Sequence, residues 1–222
     1  MLKYGFPLDF PDVARNALVS TEESYASATQ YPTDIEHYLQ EKVRNLAIAG
    51  PYKEPPFKKF THISLFMSRP KPDSNHRRAI IDLSWPKQAS VNHFTKDNIY
   101  LNSVFKLQYP TIDDITDTLK NMGKDALLYK IDLSGAFRQL PVDPYDYNLL
   151  CYKCKGQYFC DLAVPFGHKF GSNFCTKLTS FFRYLALQEG HISYTYIDDV
   201  IGTSLPDRRF KVINFFLSYF LI

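Results

Sequence analysis

Two adjacent carboxylates, Asp198 and Asp199, sit between the apolar, β-rich runs Ile192-Ser-Tyr-Thr-Tyr-Ile197 and Val200-Ile201. Like charges side by side at a tight turn repel, and a turn selected for stability alone takes Asn-Gly or Asp-Gly. A divalent cation relieves that repulsion, and Mg²⁺ favours carboxylate oxygens together with substrate phosphates. A third carboxylate, Asp132, ends the short apolar strand Leu127-Leu-Tyr-Lys-Ile-Asp132. If the two strands are neighbours, three carboxylates share one sheet edge. That is the arrangement of a two-metal phosphoryl-transfer site, with ions ~3.5–4 Å apart. The plainer reading is an Asp turn plus a surface acid, and Tyr196-Ile-Asp-Asp199 alone is too short to decide between them.

The elements that must carry these acids are legible in outline. Thr33 with Glu36 reads as a capping box opening a helix over 33–49, with Ile35, Tyr38, Leu39, Val43 and Leu46 on one face and Gly50-Pro51 as its stop. The proline-rich run Pro51–Phe57 reads as a linker or extended arm. Ile63–Ser68 and Arg77–Leu83 read as two strands, and Arg69–His76 as the tip joining them. Thr111 with Asp114 opens another helix, faced by Ile112, Ile115, Leu119 and Met122 and closed by Gly123. Tyr147–Cys160 reads as a hairpin around Lys155-Gly156. Phe170–Gln188 reads as a helix with Phe170, Phe174, Leu178, Phe181 and Leu185 on one face, and a last helix begins near Pro206. The succession of strands, helices and hairpins predicts an α+β fold with an antiparallel sheet.

Composition bounds the possibilities. The chain has 222 residues, 45% of them hydrophobic and 22% charged, with a net charge of +3. These are globular values, which exclude a disordered or collagen-like chain. The longest apolar tract, Val212–Ile222, is interrupted by Asn214 and Ser218 and falls short of the ~20 residues of a spanning helix, so no membrane partner is expected. Charge is unevenly distributed: from Lys53 to Arg78 there are seven Lys and Arg against two acids, whereas acids thicken after Pro110. A chain basic in one part and acidic in another suits a polyanion and a metal ion. Four cysteines are too few for a disulfide scaffold, which makes a reducing intracellular compartment, cytoplasm or nucleus, the default. Cys151-Tyr-Lys-Cys154 has one zinc-like spacing, but Cys160 and Cys175 complete no second pair, so hairpin packing is the better reading. The six histidines show no paired spacing and read as surface or core residues.

Asp132-Leu-Ser-Gly-Ala-Phe137-Arg-Gln, Val164-Pro-Phe-Gly167 and Tyr196-Ile-Asp-Asp199, in that order, resemble the palm of reverse transcriptases. Upstream, Lys71-Pro-Asp-Ser-Asn-His-Arg-Arg78-Ala-Ile-Ile-Asp-Leu-Ser is similar to that family's fingers segment. Ala49–Phe57 and Leu83–Asn92 resemble most closely retrotransposons of the DIRS type. The resemblance implies a right-hand polymerase fold: fingers plus a partial palm, with no thumb. Its segments would be an N-terminal helix and linker arm (1–56), fingers (57–107), palm with the first catalytic Asp (108–139), a fingers return (140–169) and the palm hairpin (170–222).

The implied function is template-directed DNA synthesis: nucleotidyl transfer from dNTPs to a primer 3′-hydroxyl on an RNA or DNA template. The alternative is an inactive, truncated retroelement remnant that only binds nucleic acid. Asp132, Asp198 and Asp199 would be catalytic and, with the Leu133 carbonyl, would hold two Mg²⁺ ions, with Mn²⁺ able to substitute. Lys71 and Arg78 would clamp the phosphates, helped by backbone N–H groups around Ser134, Gly135 and Ala136. Phe137 would bar a 2′-hydroxyl, beside Phe166 and Gly167, and Tyr196 and Lys169 would meet primer and template. Asp82 would orient the fingers or form a simple salt bridge. The family's Pro five residues after the glycine is here Ser172, which a helix start accepts equally. Only 23 residues follow Asp199, so the expectation is that later palm motifs, thumb and any ribonuclease H domain belong to partner or continuing polypeptide.

Overall fold

A computed structural model of the chain describes residues 3–15, 25–58, 64–67, 77 and 79–220. In chain order these form helices α1 (Ala26–Gln30) and α2 (Pro32–Arg44), then strands β1 (Ile48–Tyr52), β2 (Ser64–Met67) and β3 (Ala79–Asp82). A one-turn helix α3 (Val91–Phe94) and the short pair β4 (Ile99–Tyr100) and β5 (Ser103–Val104) precede α4 (Ile112–Met122) and β6 (Leu127–Asp132). β7 (Cys151–Cys154), β8 (Gln157–Asp161) and α5 (Gly171–Gln188) follow, and β9 (Ile192–Tyr196), β10 (Asp199–Ser204) and α6 (Arg209–Phe220) complete the order. Every pairing among these strands is antiparallel, as the α+β reading requires.

The chain divides into two compact units, Met1–Phe105 with Phe137–Gly171, and Lys106–Ala136 with Ser172–Ile222. The first is built on the sheet β1-β8-β7, with β2-β3 and β4-β5 as two-stranded pairs. Its core includes Ile35 and Leu39 of α2, Ile48 of β1, and Leu140, Leu149, Leu150 and Tyr152, all buried. An N-terminal strap, absent from the sequence reading, is stitched onto that core. Phe6, Leu8 and Phe10 are buried, Phe6 bridges to Val142, and the Leu8 N–H donates to the buried Asp146 carboxylate at 2.7 Å. Arg15 donates to the same carboxylate, which matches a buried acid with a cation.

The second unit is the sheet β6-β10-β9 with α4, α5 and α6. Ala186 of α5, Val200 of β10, and Val212 and Phe216 of α6 are fully buried together, with Tyr129, Ile131, Phe182 and Phe215 packed against them. One sheet face, carrying Tyr129, Ile131 and Val200, therefore meets the helices. Residues of opposite parity point the other way.

Several expectations are corrected by tertiary pairing. Helix α2 starts at Pro32, with Tyr31 as N-cap and no side-chain cap, so the Thr33–Glu36 capping box does not form. Proline suits the first helical position because its missing N–H has no helical partner there. The helix ends at Arg44, well before Gly50-Pro51, which lies inside β1. Ile48 and Ala49 pair with Asp161 and Cys160, and sheet pairing overrides the helical period. Around α4 the Thr111–Asp114 capping box forms as expected, but Ile112 is 81% exposed and no residue of the helix is fully buried. On α5, Phe174 and Leu178 are buried while Phe181 is 50% exposed, and Phe182 takes the place in the core. Cys151 and Cys160 are register partners on β7 and β8 and are joined as a disulfide. The pairing follows from the hairpin around Lys155-Gly156, whose register sets Cys151 opposite Cys160. Among the described residues no helix is long and apolar enough to cross a membrane.

Candidate active site

The three acids gather at one end of the second unit's sheet. Asp199, first residue of β10, is the register partner of Asp132, last residue of β6, and on its other side of Tyr196, last residue of β9. Directly opposed residues in antiparallel strands share a face, so Asp132, Asp199 and Tyr196 lie together on the face away from the α5–α6 core. The turn residues are Ile197 and Asp198, not Asp198 and Asp199. Asp198 therefore stands at the turn tip while Asp199 belongs to the ladder. The Leu133 N–H donates to the Asp198 carbonyl at 3.3 Å, which ties the end of β6 to the turn. Ile197 has φ 54°, a left-handed conformation that a β-branched residue adopts only under constraint. The Thr179 hydroxyl of α5 helps hold it, donating to the Ile197 carbonyl at 2.9 Å.

Charge at this edge is offset in part by a residue that the sequence reading missed. Lys130 shares the Asp132 face, two residues back, and its ammonium lies 3.0 Å from Asp199 Oδ2. The Asp199 hydrogen bond and charge, followed by the charges of Asp132 and Asp198, raise the Lys130 pKa. All three carboxylates thus act on one cation. Alternation along an apolar strand is the signal that could have found it. Tyr196 is 51% exposed and packs its ring 4.7 Å from that of Tyr109, a second residue that nothing in the sequence singled out.

Past Asp132 the chain makes a turn, with Gly135 at φ 62°. The Ala136 N–H closes it onto the Leu133 carbonyl at 3.2 Å. That donor is therefore spent, contrary to the expectation that it faces phosphates, and the Leu133 carbonyl already accepts one bond. Ser134 and Gly135 are exposed.

The other expected contacts fall in the first unit. Phe137 is only 7% exposed, whereas Phe166, its ring 4.5 Å away, is 58% exposed. Gly167 has φ 98°, and a Cβ there would stand 3.3 Å from the Ile81 carbonyl, so glycine is dictated locally whatever approaches it. Asn92 of α3 holds this loop. Its side chain donates to the Gly167 carbonyl at 2.7 Å and accepts from the Lys169 N–H at 3.0 Å. The Lys169 ammonium meets the Thr95 carbonyl at 2.7 Å and Asp97 at 2.9 Å. Asp82 accepts from the Tyr25 hydroxyl at 2.6 Å and the Ser84 N–H at 2.9 Å. Lys71 and Arg78 lie outside the described residues.

Residues 69–211, more than half of the chain, match the family described as reverse transcriptase (RNA-dependent DNA polymerase). The chain belongs to the reverse transcriptase family. No curated protein sequence matches it. Among solved structures, prototype foamy virus protease–reverse transcriptase is similar over 90% of this chain and 24% of its own, with 16% identity and a TM-score of 0.64. The foamy viral protease–reverse transcriptase dRH, solved in complex with double-stranded DNA, is similar over 91% of this chain and 32% of its own, with 14% identity and a TM-score of 0.67. At these identities the likeness shows the polymerase fold. The chain spans about a quarter to a third of the length of those proteins.

Reverse transcriptases use divalent metal ions, and the donors of this reverse transcriptase chain suit one. They are carboxylate oxygens, with the Lys130 ammonium beside Asp199, and hard oxygen donors select hard cations. Among the described residues, no three His, Cys, Asp or Glu side chains are close enough to hold one ion between them. The acids form an open edge.

Proposed function

We propose that this chain is the fingers and partial palm of a DIRS-type retrotransposon reverse transcriptase. Its reaction is nucleotidyl transfer from deoxynucleoside triphosphates to a primer 3′-hydroxyl on an RNA or DNA template. The observation that carries this reading is the β6–β10 register, which sets Asp132 opposite Asp199 with Asp198 at the adjoining turn. Two carboxylates opposed across a ladder destabilise a sheet. Their retention beside a third acid is accounted for by a cation-dependent task. The runs Ala49–Phe57 and Leu83–Asn92 support the DIRS-type lineage.

In this reading Asp132, Asp198 and Asp199 hold two Mg²⁺ ions, with Mn²⁺ able to substitute and the second lone pair of the Leu133 carbonyl as a further donor. Such ions stabilise charge on the attacking and leaving oxygens of phosphoryl transfer. The chain's own residues do the positioning. Arg78 offers a planar fork to phosphate oxygens and Lys71 a point charge. The turn at Ser134 and Gly135 is exposed beside the end of β6, where a phosphate would approach. Phe137, with Phe166 and Gly167, contacts the deoxyribose and base pair, and the exposed Tyr196 ring meets the primer terminus.

The test is primer extension on an RNA template by the purified chain with Mg²⁺ or Mn²⁺, beside Asp198→Asn. Deoxynucleotide addition that disappears in Asp198→Asn is expected. Equal extension by both proteins refutes the assignment of the acids.

A further inference from the structure

A buried ion pair stands directly beside Phe137. Arg138 follows it in a single 3-10 turn, Ala136–Gln139, and its Nη1 lies 2.9 Å from Oδ1 of Asp161, a residue with no exposed surface. At that distance inside the core the two opposite charges attract directly. Arg138 also donates through Nη2 to the Tyr38 hydroxyl of α2. Asp161 is the last residue of β8, paired with Ile48 of β1, and its N–H donates to the Leu150 carbonyl at 3.0 Å. One guanidinium thus fastens the 3-10 turn to both the sheet and α2 of the first unit.

Such a pair is not the cheapest way to fill a core. Apolar residues of similar volume are often at least as stabilising, so a buried pair is better explained by what it holds in place. Here the neighbour is a ring whose position is tightly defined. A Cβ on Gly171 would stand 2.9 Å from Phe137 Cε1, and Phe166 covers the ring at 4.5 Å. Between a backbone and a second ring, Phe137 has little freedom except through movement of its own turn, and Arg138 fixes that turn.

We propose that the Arg138–Asp161 pair, completed by Tyr38, positions Phe137 and thereby sets how strictly the polymerase distinguishes deoxyribose from ribose. The inference rests on the reading of Phe137 as the sugar-contacting ring. Arg138, Asp161 and Tyr38 are positioning residues and touch no substrate.

The experiment measures affinity for dATP and ATP, which differ only in the 2′-hydroxyl, by the full chain with Mg²⁺ and a recessed primer–template calling for A. It compares the unsubstituted chain, Phe137→Val, Tyr38→Phe, and the double variant Arg138→Met with Asp161→Leu. The double variant leaves no unpaired charge, and Tyr38→Phe removes a single hydroxyl from an otherwise intact core. A turn displaced by a fraction of an ångström should lower the dATP-to-ATP ratio about tenfold in the double variant and severalfold in Tyr38→Phe. Melting temperature, recorded in parallel, reports any merely structural effect. If Phe137→Val relaxes the ratio while Tyr38→Phe and the double variant keep it, the positioning role is wrong and the sugar-contact reading stands. An unchanged ratio in Phe137→Val, or no preference in the unsubstituted chain, overturns both.

Discussion

His168, inside the loop after Pro165-Phe166-Gly167, makes the first unit sensitive to mild acid. It is buried, its Nδ1 accepts the Phe170 N–H at 3.3 Å, and burial, aided by the nearby Lys169 charge, pushes its pKa down from 6.5 to about 4. In the unfolded chain the imidazole takes a proton near pH 6.5, whereas in the folded chain it resists until about pH 4. The unfolded state therefore binds more protons throughout that window. The stabilisation is fully present above pH 6.5 and is lost as pH falls through the folded pKa. A shift of this size corresponds to about 3 kcal/mol in full, of which about 2 kcal/mol is gone by pH 5. Urea unfolding at pH 7 and pH 5 measures it, with His168→Asn as reference, because the Asn amide oxygen can accept the same N–H without titrating. Carboxylates shared by both proteins cancel in the comparison. The unsubstituted chain should lose about 2 kcal/mol more than the variant between the two pH values. Parallel profiles, or an NMR titration in which all six histidines protonate above pH 5.5, would refute the reasoning.

Two further outcomes follow from close packing. A Cβ on Gly202 would meet Tyr129 Cζ and Oη at 2.1 Å, so Gly202→Ala should destabilise the β6-β10-β9 unit by ~1–3 kcal/mol in chemical denaturation. Combining it with Tyr129→Leu should recover part of that loss, and strict additivity of the two changes would remove the proposed contact. Phe137→Val should admit ribonucleotides in primer extension while lowering stability by ~1–3 kcal/mol through loss of buried ring volume; unchanged sugar discrimination in an otherwise active variant argues that the ring is core alone.

Much of the second unit was legible in the sequence because its signals are local. The Thr111–Asp114 cap, the β6 strand ending on Asp132 and the two runs flanking the acids each lie within a few consecutive residues, and all three form. The first unit was harder. Its N-terminal strap is held by contacts such as the Leu8 N–H to Asp146, 138 residues apart, which no periodicity reports. The same holds for Arg138 with Asp161. Ile48 and Ala49 fall inside the expected helix because Gly50-Pro51 reads as its stop, and only their pairing partners on β8 decide otherwise. Lys169 has internal partners that its position beside a polymerase motif did not announce, the Thr95 carbonyl and Asp97.

The acid cluster itself is a case of local preference yielding to the placement of charge. A two-residue hairpin turn favours glycine where φ is positive, and this turn has Ile197 at φ 54° instead. Holding such a residue there costs on the order of 1–3 kcal/mol. The Thr179 bond from α5 and the Leu133 bond from β6 are what fix the turn from outside. Relaxing it by one residue would shift β10 against β6, and because side chains alternate, a one-residue slip would send Asp199 to the face of Val200 and the apolar core. The apolar face of β10, locked onto Ala186 and Phe216, forbids that slip. The carboxylates thus remain opposed on the open face because the hydrophobic core, not the charged edge, sets the register. It follows that the strongest influence on the geometry of the three acids lies behind the sheet, in residues that never meet a substrate.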